Sequence, residues 1–265
     1  MPTVESNGAR LHYEVSGGTD APNLVLLNSL GSNLQMWDRV LPEFEEKFRV
    51  LRSDMRGHGR SEVAAEAFTI EQLGRDVLKL MDEVKAEKAS ICGVSLGGLA
   101  GLWLGIYAPD RVERLILANT AAKIGTKEIW EQRIEAVKAN GMAALAAATL
   151  ERWYTPVYRQ EHPEEMEKIR RMIAATDPQG YAACCAVLRD ADLRAEAAGV
   201  RAVTLVIAGA HDPATPPADG RALHTAIEHS RYVEFDASHM SAWECAADFA
   251  GAVVEHLTAM EVTHG

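Results

Sequence analysis

The stretch SICGVSLGGLAGLWLGIYA, residues 90–108, decides the fold. It opens with a short apolar run, Ser90-Ile91-Cys92-Gly93-Val94, of the kind found in a strand buried on both faces. It continues without a break into an apolar helical segment, Leu96 to Ala108. Gly93-Val94-Ser95-Leu96-Gly97 at the junction fits G-x-S-x-G. A sharp strand-to-helix turn brings the backbone against its neighbours, so the positions flanking the serine need residues without a Cβ. The same turn holds the serine in a strained conformation with its hydroxyl exposed. The pattern alone also fits a plain Gly/Ser turn packing a helix on a sheet; the flanking strand and helix are what favour a nucleophile at Ser95.

Working outward, similar apolar runs occur at Leu24–Asn28, Phe48–Ser53, Arg114–Ala118 and Val203–Ala208. Between them lie helical patterns, such as Ile70, Leu73, Val77, Leu78 and Met81. Buried strands alternating with helices predict an α/β fold with a mostly parallel, doubly wound sheet. Asn7-Gly8 predicts a tight hairpin ahead of Arg10–Val15. The alternation stops near Asn119 and resumes near Val203. The segment between reads as helices alone: about 127–139 with Gly141 as its stop, 142–153, one after Pro163, and one opening at Asp177-Pro178. The expected organisation is a core domain of residues 1–121 and 199–265, with a helical cap of residues 122–198 inserted in it. A helix over about 217–228, a strand at Tyr232–Phe235 and a last helix over 241–256 complete the core.

A serine nucleophile needs a base, and the base an orienting acid, in the chain order Ser, Asp or Glu, His on this architecture. Of nine histidines, His12 and His58 precede the serine, His162 falls in the cap, His224, His229 and His256 lie in or beside helices, and His264 is in the tail. His239 stands in the short loop between the last strand and the last helix, facing the carboxyl edge of the sheet, and is the candidate base. Asp212 follows the strand 203–208, at 117 residues past Ser95 and 27 before His239. Pro216 and Pro217 stiffen its loop. It is preferred as the acid over Asp236, which competes from a strand end. The other position for an acid, beyond the strand before the cap, reads Asn119-Thr120. The oxyanion hole is expected from the backbone N–H of Leu96 and that of Leu30, with Gly31 permitting the turn that aims the latter inward.

Five segments, LVLLNSLGSN (24–33), SDMRGHGRSE (53–62), CGVSLGGLAGLW (92–103), AGAHDPATPP (208–217) and ASHMSAWE (237–244), together resemble the α/β-hydrolase-fold superfamily over essentially the whole chain. More narrowly, SLGSNLQMWD (29–38), ERWYTP (151–156) and YAACCAVLRDADLR (181–194) resemble the 3-oxoadipate enol-lactonases of aromatic degradation. One departure from the commonest superfamily pattern is Asn28-Ser29 where His-Gly is usual. The resemblance implies opening of a lactone ring through an acyl-enzyme on Ser95. That lactone carries a carboxylate, for which Trp130 and Arg133 on one face of a cap helix are the candidate partners, with Trp153 as an apolar wall. Met36, Trp37, Asp54, Arg56 and His58 read as structural, a loop pinned beside the elbow.

Composition sets the bounds. With 27 Lys+Arg against 38 Asp+Glu, the net charge of −11 argues against nucleic acid or an anionic membrane as partner. The apolar run 97–108 falls short of the roughly 20 residues that span a bilayer. The start of the chain lacks signal-peptide character. Cys92, Cys184, Cys185 and Cys245 have neither disulfide nor zinc spacing, so reduced thiols and a cytoplasmic location are expected. No metal or organic cofactor is implied, since there is no Walker A, no G-x-G-x-x-G after a strand and no clustered ligand set. A general carboxylesterase, a carbon–carbon bond hydrolase, a perhydrolase and a ligand-sensing protein on the same fold remain alternatives, because fold does not fix substrate.

Overall fold

Asn7 and Gly8, both at positive φ (39° and 75°), close a hairpin between β1 (Thr3–Ser6) and β2 (Ala9–Ser16). This pair of backbone angles is what a two-residue turn matching the twist of its strands requires. The computed structural model describes residues 2–63 and 66–259, and the tail histidine His264 lies outside them. The remaining strands are β3 (Asn23–Leu27), β4 (Arg49–Ser53), β5 (Ala89–Val94), β6 (Val112–Ala118), β7 (Val203–Gly209) and β8 (Ser230–Phe235). They form one sheet in the order β1-β2-β4-β3-β5-β6-β7-β8. Only β1/β2 and β2/β4 pair antiparallel; β4 through β8 run parallel.

Parallel strands covered on both faces cannot alternate in polarity, and all six residues of β5 are buried. The helices of the core are α1 (Leu41–Glu45), α2 (Ile70–Glu83) and α3 (Leu96–Tyr107). In α3 every residue from Leu96 to Gly105 is buried, as expected of a helix apolar on all sides. The chain leaves β3 for β4 on one side and then returns to place β5 on the other. The crevice above the β3 and β5 carboxyl ends is therefore the switch point at which open α/β sheets bind ligands.

Between β6 and β7 come helices only: α4 (Lys127–Trp153), α5 (Pro156–Glu161), α6 (Pro163–Ala174) and α7 (Pro178–Asp190). Asp177 caps α7, its Oδ1 accepting from the N–H groups of Gln179 and Gly180 (2.7 and 3.1 Å). The two helices predicted on either side of Gly141 are the two halves of α4, which is broken at Gly141 by a non-helical φ of 71° and ψ of 175°. That conformation is essentially restricted to glycine. The short α5, started by Pro156, is absent from the sequence-based expectation. After α8 (Pro217–Ala226), the expected last helix divides at Cys245 into α9 (Ser241–Glu244) and α10 (Ala246–Thr258). All four cysteines are free. Among the described residues, no helix is long and apolar enough to cross a membrane.

Candidate active site

Ser95 sits between β5 and α3 at φ 58°, ψ −119°, a strained backbone for a residue with a Cβ. The surroundings hold it there. Its N–H donates to Ala118 O (3.0 Å), and its carbonyl accepts from Thr120 Oγ1 (2.7 Å). A Cβ at Gly97 would strike the Leu27 carbonyl, and one at Gly93 would strike the carbonyl of Gly97. The two glycines of G-x-S-x-G are thus required by backbone contact with their neighbours. Leu96, the first residue of α3, supplies one of the N–H groups that a helix leaves without an internal acceptor.

His239 and Asp212 meet at the carboxyl edge of the sheet. The ring Nδ1–H of His239 donates to Asp212 Oδ2 (2.8 Å), and both side chains are almost wholly buried. Asp212 Oδ2 also accepts from Thr215 Oγ1 (2.8 Å) and Asn119 Nδ2 (3.2 Å). Its Oδ1 accepts from the N–H groups of Ala214 and Thr215 (2.8 and 3.1 Å). Burial works to raise the Asp212 carboxyl, but His239 and these hydrogen bonds outweigh it and hold it below the ordinary value. The competing Asp236 turns away: its side chain is 93% exposed and pairs with His211 Nε2 (2.7 Å).

Two residues around this pair went unassigned in the sequence. Asn119, at φ 45° after β6, donates from Nδ2 to Ser238 O (3.1 Å) as well as to Asp212, and its Oδ1 accepts from Ser241 Oγ. The signal was its place, just where an acid was sought and an amide was found. Glu244 accepts from Ser238 N–H (2.8 Å) through Oε2 and from Thr155 N–H (3.1 Å) through Oε1. The His239 loop is tied to the end of α4 on both sides. Ser238 Oγ donates to Arg152 O (2.9 Å) and Met240 N–H to Trp153 O (3.0 Å).

The loop after β3 is pinned so that one donor stays free. Ser29 N–H goes to Met36 Sδ (3.2 Å) and Gly31 N–H, at φ 80°, to His58 Nε2 (3.0 Å). Among the described residues, the Leu30 N–H between them has no acceptor. Burial lowers His58 to about 4, so the ring is neutral, with Nδ1–H on Arg56 O (3.3 Å) and Nε2 left to accept. Asn28 explains its own departure from the superfamily pattern: Nδ2 donates to Ser53 O (2.7 Å) and Oδ1 accepts from Trp37 Nε1 (2.9 Å). Asp54 accepts from Leu34 and Arg60 N–H (2.9 Å each), and Arg56 is bidentate to buried Asp76 (2.6 Å each). The five residues read as structural all serve this scaffold.

A cavity of about 210 Å³ opens on Ser95, His239 and Leu30 from the core side. From the helical insertion it is lined by Trp130, Arg133, Thr149, Arg152, Trp153 and Tyr181. All three residues proposed for substrate contact are therefore present, with one correction. The Trp130 indole N–H is committed to Ile124 O (2.6 Å), and the ring instead lies beneath the Arg133 guanidinium, 4.9 Å from its centroid. Arg152 was one of seven arginines between 133 and 194 that helical periodicity left undistinguished. Burial, and then the charge of Arg133, lowers its pKa. Burial pushes Tyr181 up to about 12, against the charges of Arg133 and Arg152. Among the described residues, no group of three or more His, Cys, Asp or Glu side chains is placed to hold a metal ion.

Comparison with known proteins agrees with this architecture. A 3-oxoadipate enol-lactonase of Acinetobacter baylyi is 41% identical over 239 residues, 90% of each chain. The crystal structure of the enol-lactonase from Burkholderia xenovorans superposes with a TM-score of 0.96 at 47% identity, covering 97% of this chain and all of that one. A hydrolase from Pseudomonas aeruginosa superposes at 0.94 with 42% identity, covering 97% of this chain and 98% of that one. Residues 22–246 match the family described as the alpha/beta hydrolase fold. The chain belongs to the α/β-hydrolase family.

Proposed function

We propose that the protein is a serine hydrolase that opens the ring of 3-oxoadipate enol-lactone to 3-oxoadipate, a step in the breakdown of aromatic compounds. The observation that supports this most is the shared cavity, where Ser95 and His239 face Arg133 and an apolar wall. In this proposal residues 122–198 act as a cap over a core of residues 1–121 and 199–265. The likeness to two enol-lactonases over nine-tenths or more of the chain supports the choice of lactone.

Ser95 Oγ attacks the lactone carbonyl while His239 Nε2 takes its proton, and Asp212 holds Nδ1–H and stabilises the imidazolium. The N–H groups of Leu30 and Leu96 receive the oxyanion. Collapse expels the ring oxygen as an enol, which His239 protonates and which tautomerises to the ketone. Water activated by His239 then attacks the acyl-enzyme and releases the second carboxylate. Arg133 meets the carboxylate already present on the lactone, with Trp130 and Trp153 beside the ring.

The test is the ultraviolet decay of freshly generated enol-lactone, set against hydrolysis of p-nitrophenyl acetate. Decay with kcat/KM well above that of the neutral ester supports the proposal. Ester hydrolysis without lactone decay would keep the nucleophile and discard the substrate.

A further inference from the structure

Seven arginines lie between positions 133 and 194. Four of them pair with neighbouring carboxylates: Arg170 and Arg171 with Glu167, Arg189 with Asp190, and Arg194 with Asp192. Arg133 and Arg152 line the active-site cavity, and among the described residues neither forms an ion pair. In a chain with 38 acidic side chains, two guanidiniums left together beside the nucleophile are not a by-product of surface charge. The charge of Arg133 adds to burial in disfavouring the Arg152 cation, a repulsion that a bound anion would relieve.

The backbone is shaped to bring them together. Positions 133 and 152 lie on the two halves of α4, and on one straight, unbroken axis they would stand about 28 Å apart. The kink at Gly141 turns the second half of α4 so that both line the same cavity. Each guanidinium is then fixed in place. Arg152 Nη2 donates to Thr149 Oγ1 (3.0 Å), whose own hydroxyl donates to Leu145 O (2.9 Å). Arg133 lies over the Trp130 ring, 4.9 Å from its centroid.

We propose that Arg152 joins Arg133 in a two-guanidinium clamp that grips a single carboxylate of the ligand, making the cavity selective for carboxylate-bearing esters and lactones and open to inhibition by small carboxylates. This rests on the reading of the cavity as the active site. One carboxylate is the occupant because one anion neutralises the repulsion and leaves a net positive charge to hold it. The clamp also touches the chemistry, since the carbonyl of Arg152 accepts from Ser238 Oγ beside His239. Hydrolysis gives a product with a second carboxylate, so the clamp retains product and competes with the next substrate.

The test needs no lactone. Pentanoate and its neutral isostere pentanamide are compared as inhibitors of p-nitrophenyl acetate hydrolysis, in wild type, Arg133→Ala, Arg152→Ala, Arg152→Met, Arg152→Lys and the double variant Arg133→Ala/Arg152→Ala. The Met variant preserves the packing of the apolar stem, and circular dichroism checks each fold. Pentanoate is expected to inhibit wild type competitively and at least tenfold more tightly than pentanamide. Either Arg152→Ala or Arg152→Met removes most of that preference, Arg152→Lys restores part of it, and the double alanine variant loses little more than each single one. An Arg152→Met variant that still prefers pentanoate within twofold of wild type overturns the clamp, as does a wild type with no preference. A wild type that shows the preference, loses it on substitution of Arg152, yet fails to open the enol-lactone keeps the clamp and removes the lactone.

Discussion

At the nucleophile elbow, backbone meets backbone: Gly97 lies against the Leu27 carbonyl, Gly93 against Gly97, and Ser95 is held at φ 58° between them. Across the cavity, in α4, the constraint passes through side chains, with Trp130 bonded to Ile124 O, Arg133 laid over Trp130 and Arg152 steered by Thr149. The elbow cannot change without moving the sheet, whereas each contact in α4 is replaceable one at a time. The difference separates two jobs. In the proposed function, the rigid element would fix where the attack occurs and the tunable one would choose what is attacked.

The largest effect is expected at the acid. Asp212→Asn leaves the shape of the elbow intact but removes the charge that holds the His239 tautomer, and kcat should fall by roughly three to four orders of magnitude. Steady-state kinetics at neutral pH measure it; a loss below tenfold would reassign the acid. Gly97→Ala sets Cβ against a carbonyl with no rotamer to escape to, and should cost roughly 3 kcal/mol or more in chemical denaturation. Gly141→Ala is the counterpart in the insertion. Nothing lies within 4 Å of its Cβ, so backbone strain alone acts, about 1–3 kcal/mol, and selectivity should change before the rate does.

The loop that presents Leu30 should be one acid-sensitive part of the core, beside α10, where burial lowers His256 to about 4 as well. Because burial depresses His58 from 6.5 to about 4, the unfolded chain binds the extra proton across that interval. Stability is then complete above about pH 6.5 and falls as the pH drops towards 4, by about 3 kcal/mol from this group. Urea titrations at pH 7 and pH 4.5 check it, with His58→Asn expected to flatten the slope. For the insertion, Arg133→Ala should cut kcat/KM for a carboxylate-bearing substrate roughly 10- to 100-fold more than for a matched neutral ester, the worth of a charged hydrogen bond. Equal losses on both would take Arg133 out of the anion site. The smallest effect is expected where the regions join. Glu244→Gln weakens one of the bonds between Ser238 and Thr155 and should lower kcat a few-fold, by about 1 kcal/mol, with KM little changed.

The two regions also differ in how much of them could be read without coordinates. The parallel sheet and the placement of Ser95, Asp212 and His239 were legible because each rests on a requirement that only a few residue types meet: apolar runs for buried strands, glycines for backbone contact, and loops following strands for the candidate acid and base. Arg152 was not, since an amphipathic helix with several arginines gives no sign of which one faces a ligand, and the kink at Gly141 changes the facing. Trp130 was placed in the cavity, but the carbonyl that captures its N–H comes from Ile124, a residue outside the helix. Asn119 reaches Asp212, 93 residues away, and Glu244 links nearby Ser238 to Thr155, 89 residues away, separations at which local pattern is silent.

The account turns on covalent attack by Ser95, and trapping the intermediate tests it most directly. Wild type mixed with 3-oxoadipate enol-lactone is quenched in acid during turnover and weighed intact, then mapped by peptide. The expected result is an adduct with the mass of one lactone on the peptide containing Ser95, absent from Ser95→Ala, whose kcat/KM falls by three or more orders of magnitude. Lactone consumed at the wild-type rate by Ser95→Ala would contradict the account.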